Sequence, residues 1–121
     1  MATGFRNLTV YQKAFALAMD IYHVSKKFPK DELYSLTSQI RRSSRSVCSN
    51  MGEGYRKRIY QAHFVSKISD SDMENTETQV WLDFAFACEY ITKDIFSDFN
   101  ERSEEIGRLL NHMIQSPEKY K

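Results

Sequence analysis

The sequence predicts an all-α protein, an antiparallel up-down-up-down four-helix bundle that occupies residues 1–121 as one domain. Two observations carry that prediction. Four stretches of the chain place apolar residues at helical spacing, and the joins between them are too short for anything but antiparallel neighbours. Only two prolines and four glycines interrupt the chain, and Pro29 and Pro117 fall where other signals also mark a boundary.

The first helix is expected over about 8–27, with Leu8, Tyr11, Phe15, Ala18 and Tyr22 on one stripe and Ala14 and Ile21 beside it. Asn7, or a Thr9–Gln12 capping box, would open it, and Phe28-Pro29 closes it because proline disfavours helix in the residue before it. The second, over about 33–54, steps through Leu36, Ile40, Val47 and Met51 by four, seven and four, which is one face of one helix. Serines at 43, 44, 46 and 49 lower its propensity but let a neighbour approach closely, and Gly54 reads as its left-handed terminator.

A third helix over about 59–91 offers Phe64, Ile68, Met73, Val80, Trp81, Phe84, Ala85 and Cys88 to a core. Its polar Ser71, Asn75 and Thr78 also fit an inward stripe, so they either pair with the serines of the second helix or face another subunit. The fourth, over about 93–115, is capped by Thr92 or Asp94 and presents Ile95, Phe96, Phe99, Ile106, Leu109, Leu110 and Met113. Pro117 closes it and leaves residues 118–121 as an expected frayed tail.

Charge has to be read locally, because 17 basic and 16 acidic residues nearly cancel. Residues 39–58 carry six basic side chains against the single acid Glu53. With a hairpin turning near Lys57, Arg41, Arg42 and Arg45 fall opposite Met73, Asp72 and Ser69, where Asp70, Asp72 and Glu74 can neutralise all three. Arg56, Lys57 and Arg58 have no partner in that register and are the stronger candidates for phosphate contacts, with Tyr55 and Tyr60 able to stack on unpaired bases.

Other chemistry finds little support. The acidic run Asp70, Asp72, Glu74, Glu77 and Asp83 lacks the Glu-x-x-His motif of a di-metal bundle, and His23, His63 and His112 share no ligand spacing, so no metal and no cofactor are expected. Gly52-Glu53-Gly54 matches neither a dinucleotide nor a phosphate loop. Cys48 and Cys88 read as free buried thiols in a reducing compartment, which with the absence of a signal-like start or an apolar span implies a cytoplasmic protein with no membrane role. The aromatic surplus around Trp81, Phe86 and Tyr90 is wide for one intrasubunit stripe and marks an expected oligomer interface.

Several blocks in order resemble a family of small bacterial four-helix-bundle proteins encoded within intervening sequences of 23S ribosomal RNA genes. They are Leu8-x-Val10-Tyr11-Gln12-Lys13-Ala14, then Phe28-Pro29-x-x-Glu32-x-Tyr34-x-Leu36-Thr37-Ser38-Gln39-Ile40-Arg41-Arg42-Ser43-Ser44-x-Ser46, and Asn50-x-Gly52-Glu53-Gly54-Tyr55. Glu77-Thr78-x-x-Trp81-Leu82 and Ile106-Gly107-x-Leu109-Leu110 follow. Gly52 stands where the family usually has alanine, and Asp70-Ser71 where it has a glycine-serine pattern. The resemblance implies a ring-like homopentamer without catalytic residues. It also implies kinship with the accessory protein of diversity-generating retroelements, which binds nucleic acid through a basic surface.

The combined expectation is a non-enzymatic homo-oligomer that acts as an RNA-associated accessory or scaffold protein through Arg56, Lys57 and Arg58, together with whichever of Arg41, Arg42 and Arg45 stay unpaired. The alternative is a scaffold that binds only protein.

Overall fold

Each helix buries a line of residues spaced alternately four and three apart, the pattern that keeps one seam turned toward its neighbours at a shallow crossing angle. In a computed structural model that describes residues 4–121, the helices are α1 (Thr9–Ser25), α2 (Ser38–Arg56), α3 (Gln61–Ala87) and α4 (Lys93–Gln115). Among the described residues there is no strand. The buried lines are Val10, Ala14, Leu17 and Ile21 in α1 and Ile40, Ser44, Val47, Met51 and Gly54 in α2. In α3 the line is Phe64, Ile68, Ser71, Asn75, Thr78, Leu82 and Ala85, and in α4 it is Phe99, Ser103, Ile106, Leu110 and Met113.

Two stripes differ from expectation. In α1 the core line lies one residue round the helix from the aromatic one, leaving Phe15 51% exposed, because small Ala14 and Ala18 admit the neighbouring helices more closely than rings would. In α3 the polar trio Ser71, Asn75 and Thr78 occupies the core, while Met73, Val80 and Phe84 face outward. The trio finds partners within the chain. Ser71 donates to the Val47 carbonyl at 2.7 Å, the Thr78 and Ser43 hydroxyls pair at 2.9 Å, and Asn75 and Ser103 exchange two hydrogen bonds of 2.8 Å.

These contacts show antiparallel neighbours. Ser43 meets Thr78 while Asn50 meets Lys67, Lys13 pairs with Glu105 while Asp20 pairs with Arg102, and Ser25 meets Arg41 while Phe5 lies against Gly52. Gly54 does not end α2, which continues to Arg56. A Cβ there would lie 2.9 Å from Lys67 Cβ and 3.2 Å from Ile68 Cδ1, so the glycine serves close helix approach.

The remaining ends are set by local chemistry. Thr92 caps α4 by accepting from the Ile95 amide at 3.2 Å. The N-cap of α1 is Leu8 with no side-chain hydrogen bond, and Gln12 instead donates to the Arg6 carbonyl. α3 closes in a Schellman motif, with Glu89 and Tyr90 amides bonding the Phe86 and Ala85 carbonyls and Glu89 at φ 64° in the left-handed position that glycine usually takes. The C-terminal residues are not frayed. Pro117–Tyr120 forms a 3-10 turn with Pro117 buried and Tyr120 stacked on Phe64 at 6.0 Å.

Between α1 and α2 the chain makes a 3-10 turn, Lys30–Glu32, and a π-helical turn, Leu33–Thr37. Leu36 and Thr37 are buried, and the Glu32 carboxylate accepts from the Ser35 hydroxyl at 2.6 Å and from the Leu36 amide at 3.4 Å. Tyr90 packs on Phe28 with ring centroids 5.5 Å apart and donates its hydroxyl to Glu32 at 2.9 Å. This hydrogen bond, with burial, pushes the Tyr90 phenol up to about 12, while bonds from Ser35 first and Tyr90 second hold Glu32 below its ordinary value.

Candidate nucleic-acid interface

On an ideal helix, Arg41, Arg45 and Arg56 fall within about 60° of one another and span about 22 Å along α2. None of the three has an acidic partner within salt-bridge distance among the described residues. Arg41 donates from Nε to the Ser25 hydroxyl at 2.7 Å, and its guanidinium lies 4.9 Å from the Tyr22 ring centroid. Arg45 lies over the same ring at 5.5 Å. These contacts orient both cations without cancelling their charge.

Arg42 is different. It pairs with Glu74 at 3.3 Å and with Glu77, which also accepts from the Trp81 indole at 3.1 Å. Burial works against the Arg42 charge, yet the two carboxylates outweigh it and its pKa rises. The expected neutralisation of all three arginines by Asp70, Asp72 and Glu74 therefore does not occur. The chain turns over Lys57–Tyr60, with the Tyr60 amide bonded to the Lys57 carbonyl, and the register of α2 on α3 moves by about one helical turn. Glu74 and Glu77 then meet Arg42, and Asp72 sits beside Gly107 with its carboxyl raised by burial.

In the connection itself, Arg56 and Lys57 are exposed, and Arg58 lies 3.7 Å over the Tyr55 ring, which occupies one face of that tyrosine. Tyr60 is exposed. Two surface grooves of about 600 Å³ flank the arginine line. One, between α1 and α2, is mostly apolar, lined by Phe5, Phe15, Met19, Cys48 and Gly52 together with Arg45, Glu53 and Arg56. The other joins Arg41, Arg42 and Arg45 to Ser38, Ser46, Ser49, Leu33 and Tyr34. Sequence reasoning missed Tyr34, although its place off the Leu36–Ile40–Val47 stripe was a legible signal.

The expected interface residues separate. Tyr90 is engaged inside the chain, Phe86 stacks on Phe96 at 4.7 Å, and Trp81 is half-buried beside Phe84. The apolar residues most open on α3 are Met73, Val80 and Phe84, at 67%, 43% and 54% exposure. Their spacing of seven and four puts them on one face.

Burial pushes the Cys48 thiol up to about 11, away from the thiolate character a nucleophile needs. Among the described residues no cluster of three or more His, Cys, Asp or Glu is placed to hold a metal, and no helix is long and apolar enough to cross a membrane.

Fold and surface define a small all-α four-helix protein with a cationic line along its second helix. The chain belongs to the 23S rRNA-intervening sequence protein family, whose model matches residues 6–112. It is similar to a protein of unknown function from the S23 ribosomal protein family of Bacteroides thetaiotaomicron, with 29% identity over 88% of this chain and 98% of that one and a TM-score of 0.80. No curated protein matches. Neither family name describes a catalytic activity.

Proposed function

We propose that this protein is a non-enzymatic, cytoplasmic RNA-associated accessory protein that works as a homo-oligomer, a pentamer by family resemblance. The observation that supports it is the line of Arg41, Arg45 and Arg56, three guanidinium groups with no acidic partner among the described residues, along one side of α2 and continuous with exposed Lys57. Such a line contacts phosphates and releases counterions, which gives salt-sensitive binding with little sequence selectivity. Repetition around an oligomer multiplies each weak contact by avidity.

The test is binding of a labelled structured RNA at low and near-physiological salt, on protein whose oligomeric mass has been measured. Glutamine at Arg41, Arg45 and Arg56 is expected to weaken binding evenly across RNA sequences and to reduce the salt slope by about one for each phosphate no longer neutralised. The same change at Arg42, already neutralised by Glu74 and Glu77, has the smaller effect.

A second reading is supported by the exposed stripe of Met73, Val80 and Phe84, which suits a helix of a protein partner. Absence of RNA binding even at low salt, with the oligomeric mass intact, would move the assignment to that protein scaffold.

A further inference from the structure

Tyr34 is 91% exposed, the most open of the large apolar and aromatic side chains among the described residues. It stands on a turn that is itself held firmly. Leu36 and Thr37 are buried behind it, Glu32 ties the start of the turn to Ser35 and Leu36, and Tyr90 ties Glu32 to the end of α3. A π turn carries more residues than an α turn, so Leu33, three residues before Leu36, is turned out of the phase of the α2 core line, and Tyr34 lies off that line at helical spacing already. Among the described residues the ring has no aromatic or cationic neighbour stacked on it. Tyr22, by contrast, carries Arg41, Arg45 and Lys26 over its ring, and Tyr55 carries Arg58.

The surroundings of Tyr34 say what such a ring is suited to meet. It shares a groove of about 600 Å³ with Arg41 and Arg45, whose charges are unneutralised, and with the hydroxyls of Ser38, Ser46 and Ser49. A tyrosine fixed on a rigid backbone has only two torsions to immobilise, so stacking costs it little entropy. A ring beside two cations matches a base beside its flanking phosphates. Within a duplex the faces of the bases are already stacked on one another, and the ring has nothing to receive.

Resting on the RNA-associated reading above, the geometry points to a single-strand site: this groove takes an unpaired RNA segment, one base stacked on Tyr34 and the adjoining phosphates on Arg41 and Arg45. The phosphate contacts alone do not distinguish paired from unpaired RNA. Tyr34 supplies that discrimination.

The experiment measures binding of an unstructured oligouridine and of a blunt RNA duplex of equal length to wild type, Tyr34→Ala and Tyr34→Phe, at one fixed low salt concentration, with oligomeric mass checked for each. Stacking of one base corresponds to roughly 5- to 150-fold in affinity. Tyr34→Ala is expected to lose that factor for oligouridine while leaving duplex binding unchanged, and Tyr34→Phe is expected to retain it.

Equal binding of oligouridine by wild type and Tyr34→Ala, with RNA binding otherwise intact, overturns the single-strand site and leaves the RNA reading standing. Failure of every protein to bind either RNA at low salt overturns both. A change in oligomeric mass with Tyr34→Ala, without a change in the preference for oligouridine, overturns the proposal in favour of a protein contact at this ring.

Discussion

Where α2 meets α3, buried hydroxyls bond across the interface and a glycine lets the two backbones close in; where α1 meets α4, the polar ties are ion pairs that water reaches. Ser43 with Thr78 and Ser71 with the Val47 carbonyl belong to the first contact. Lys13 with Glu105 at 3.2 Å and Arg102 with Asp20 at 2.8 Å belong to the second. A buried hydroxyl that loses its partner is left without water to replace it, so only one register of α2 on α3 satisfies these groups. An exposed ion pair tolerates small displacements and contributes little. The α2–α3 seam therefore decides which acid meets which arginine, and it leaves Arg41 and Arg45 unneutralised.

Gly54→Ala is the severest test of this contrast. Alanine favours a helix by about 1 kcal/mol over glycine, so a stability set by propensity would rise. Overpacking against Lys67 and Ile68 is expected to reverse the sign and lower stability by about 1–3 kcal/mol in chemical denaturation. Next comes Ser71→Ala, which removes one buried hydrogen bond and is expected to cost about 1 kcal/mol by the same measurement. Smallest is Lys13→Gln, which opens an exposed pair and should change stability by no more than about 1 kcal/mol, less as salt is raised. A Lys13 effect larger than the Ser71 effect would break the comparison.

The all-α class was legible because Ile40, Val47, Met51, Phe64, Ile68, Ile106 and Leu110 keep helical spacing, and all are buried. The α4 cap at Thr92 was legible from one side chain. The inward place of Ser71, Asn75 and Thr78 was legible from spacing, and Thr78 does pair with Ser43 of α2, whereas the assignment of Met73, Val80 and Phe84 to the core was wrong. Partners on α2 and α4 satisfy those polar groups, which then hold the core positions that hydropathy alone gives to apolar side chains. The arginine pairing failed for a separate reason. Moving the turn from Lys57 to Lys57–Tyr60 changes every opposed pair by a helical turn, and boundaries are what local signals place least well.

Phe5 rests on Gly52 near the end of α2, and Tyr120 stacks on Phe64 near the start of α3, so both described chain ends gather at the pole that carries Arg56, Lys57 and Arg58. The described ends therefore lie beside that basic connection. A polyhistidine or acidic fusion there would add its own charge to the local field. Affinity handles and fluorophores are better attached at the opposite pole, where Cys88, expected to be buried, is exposed because α3 has already ended at Ala87, and offers a thiol remote from the connection.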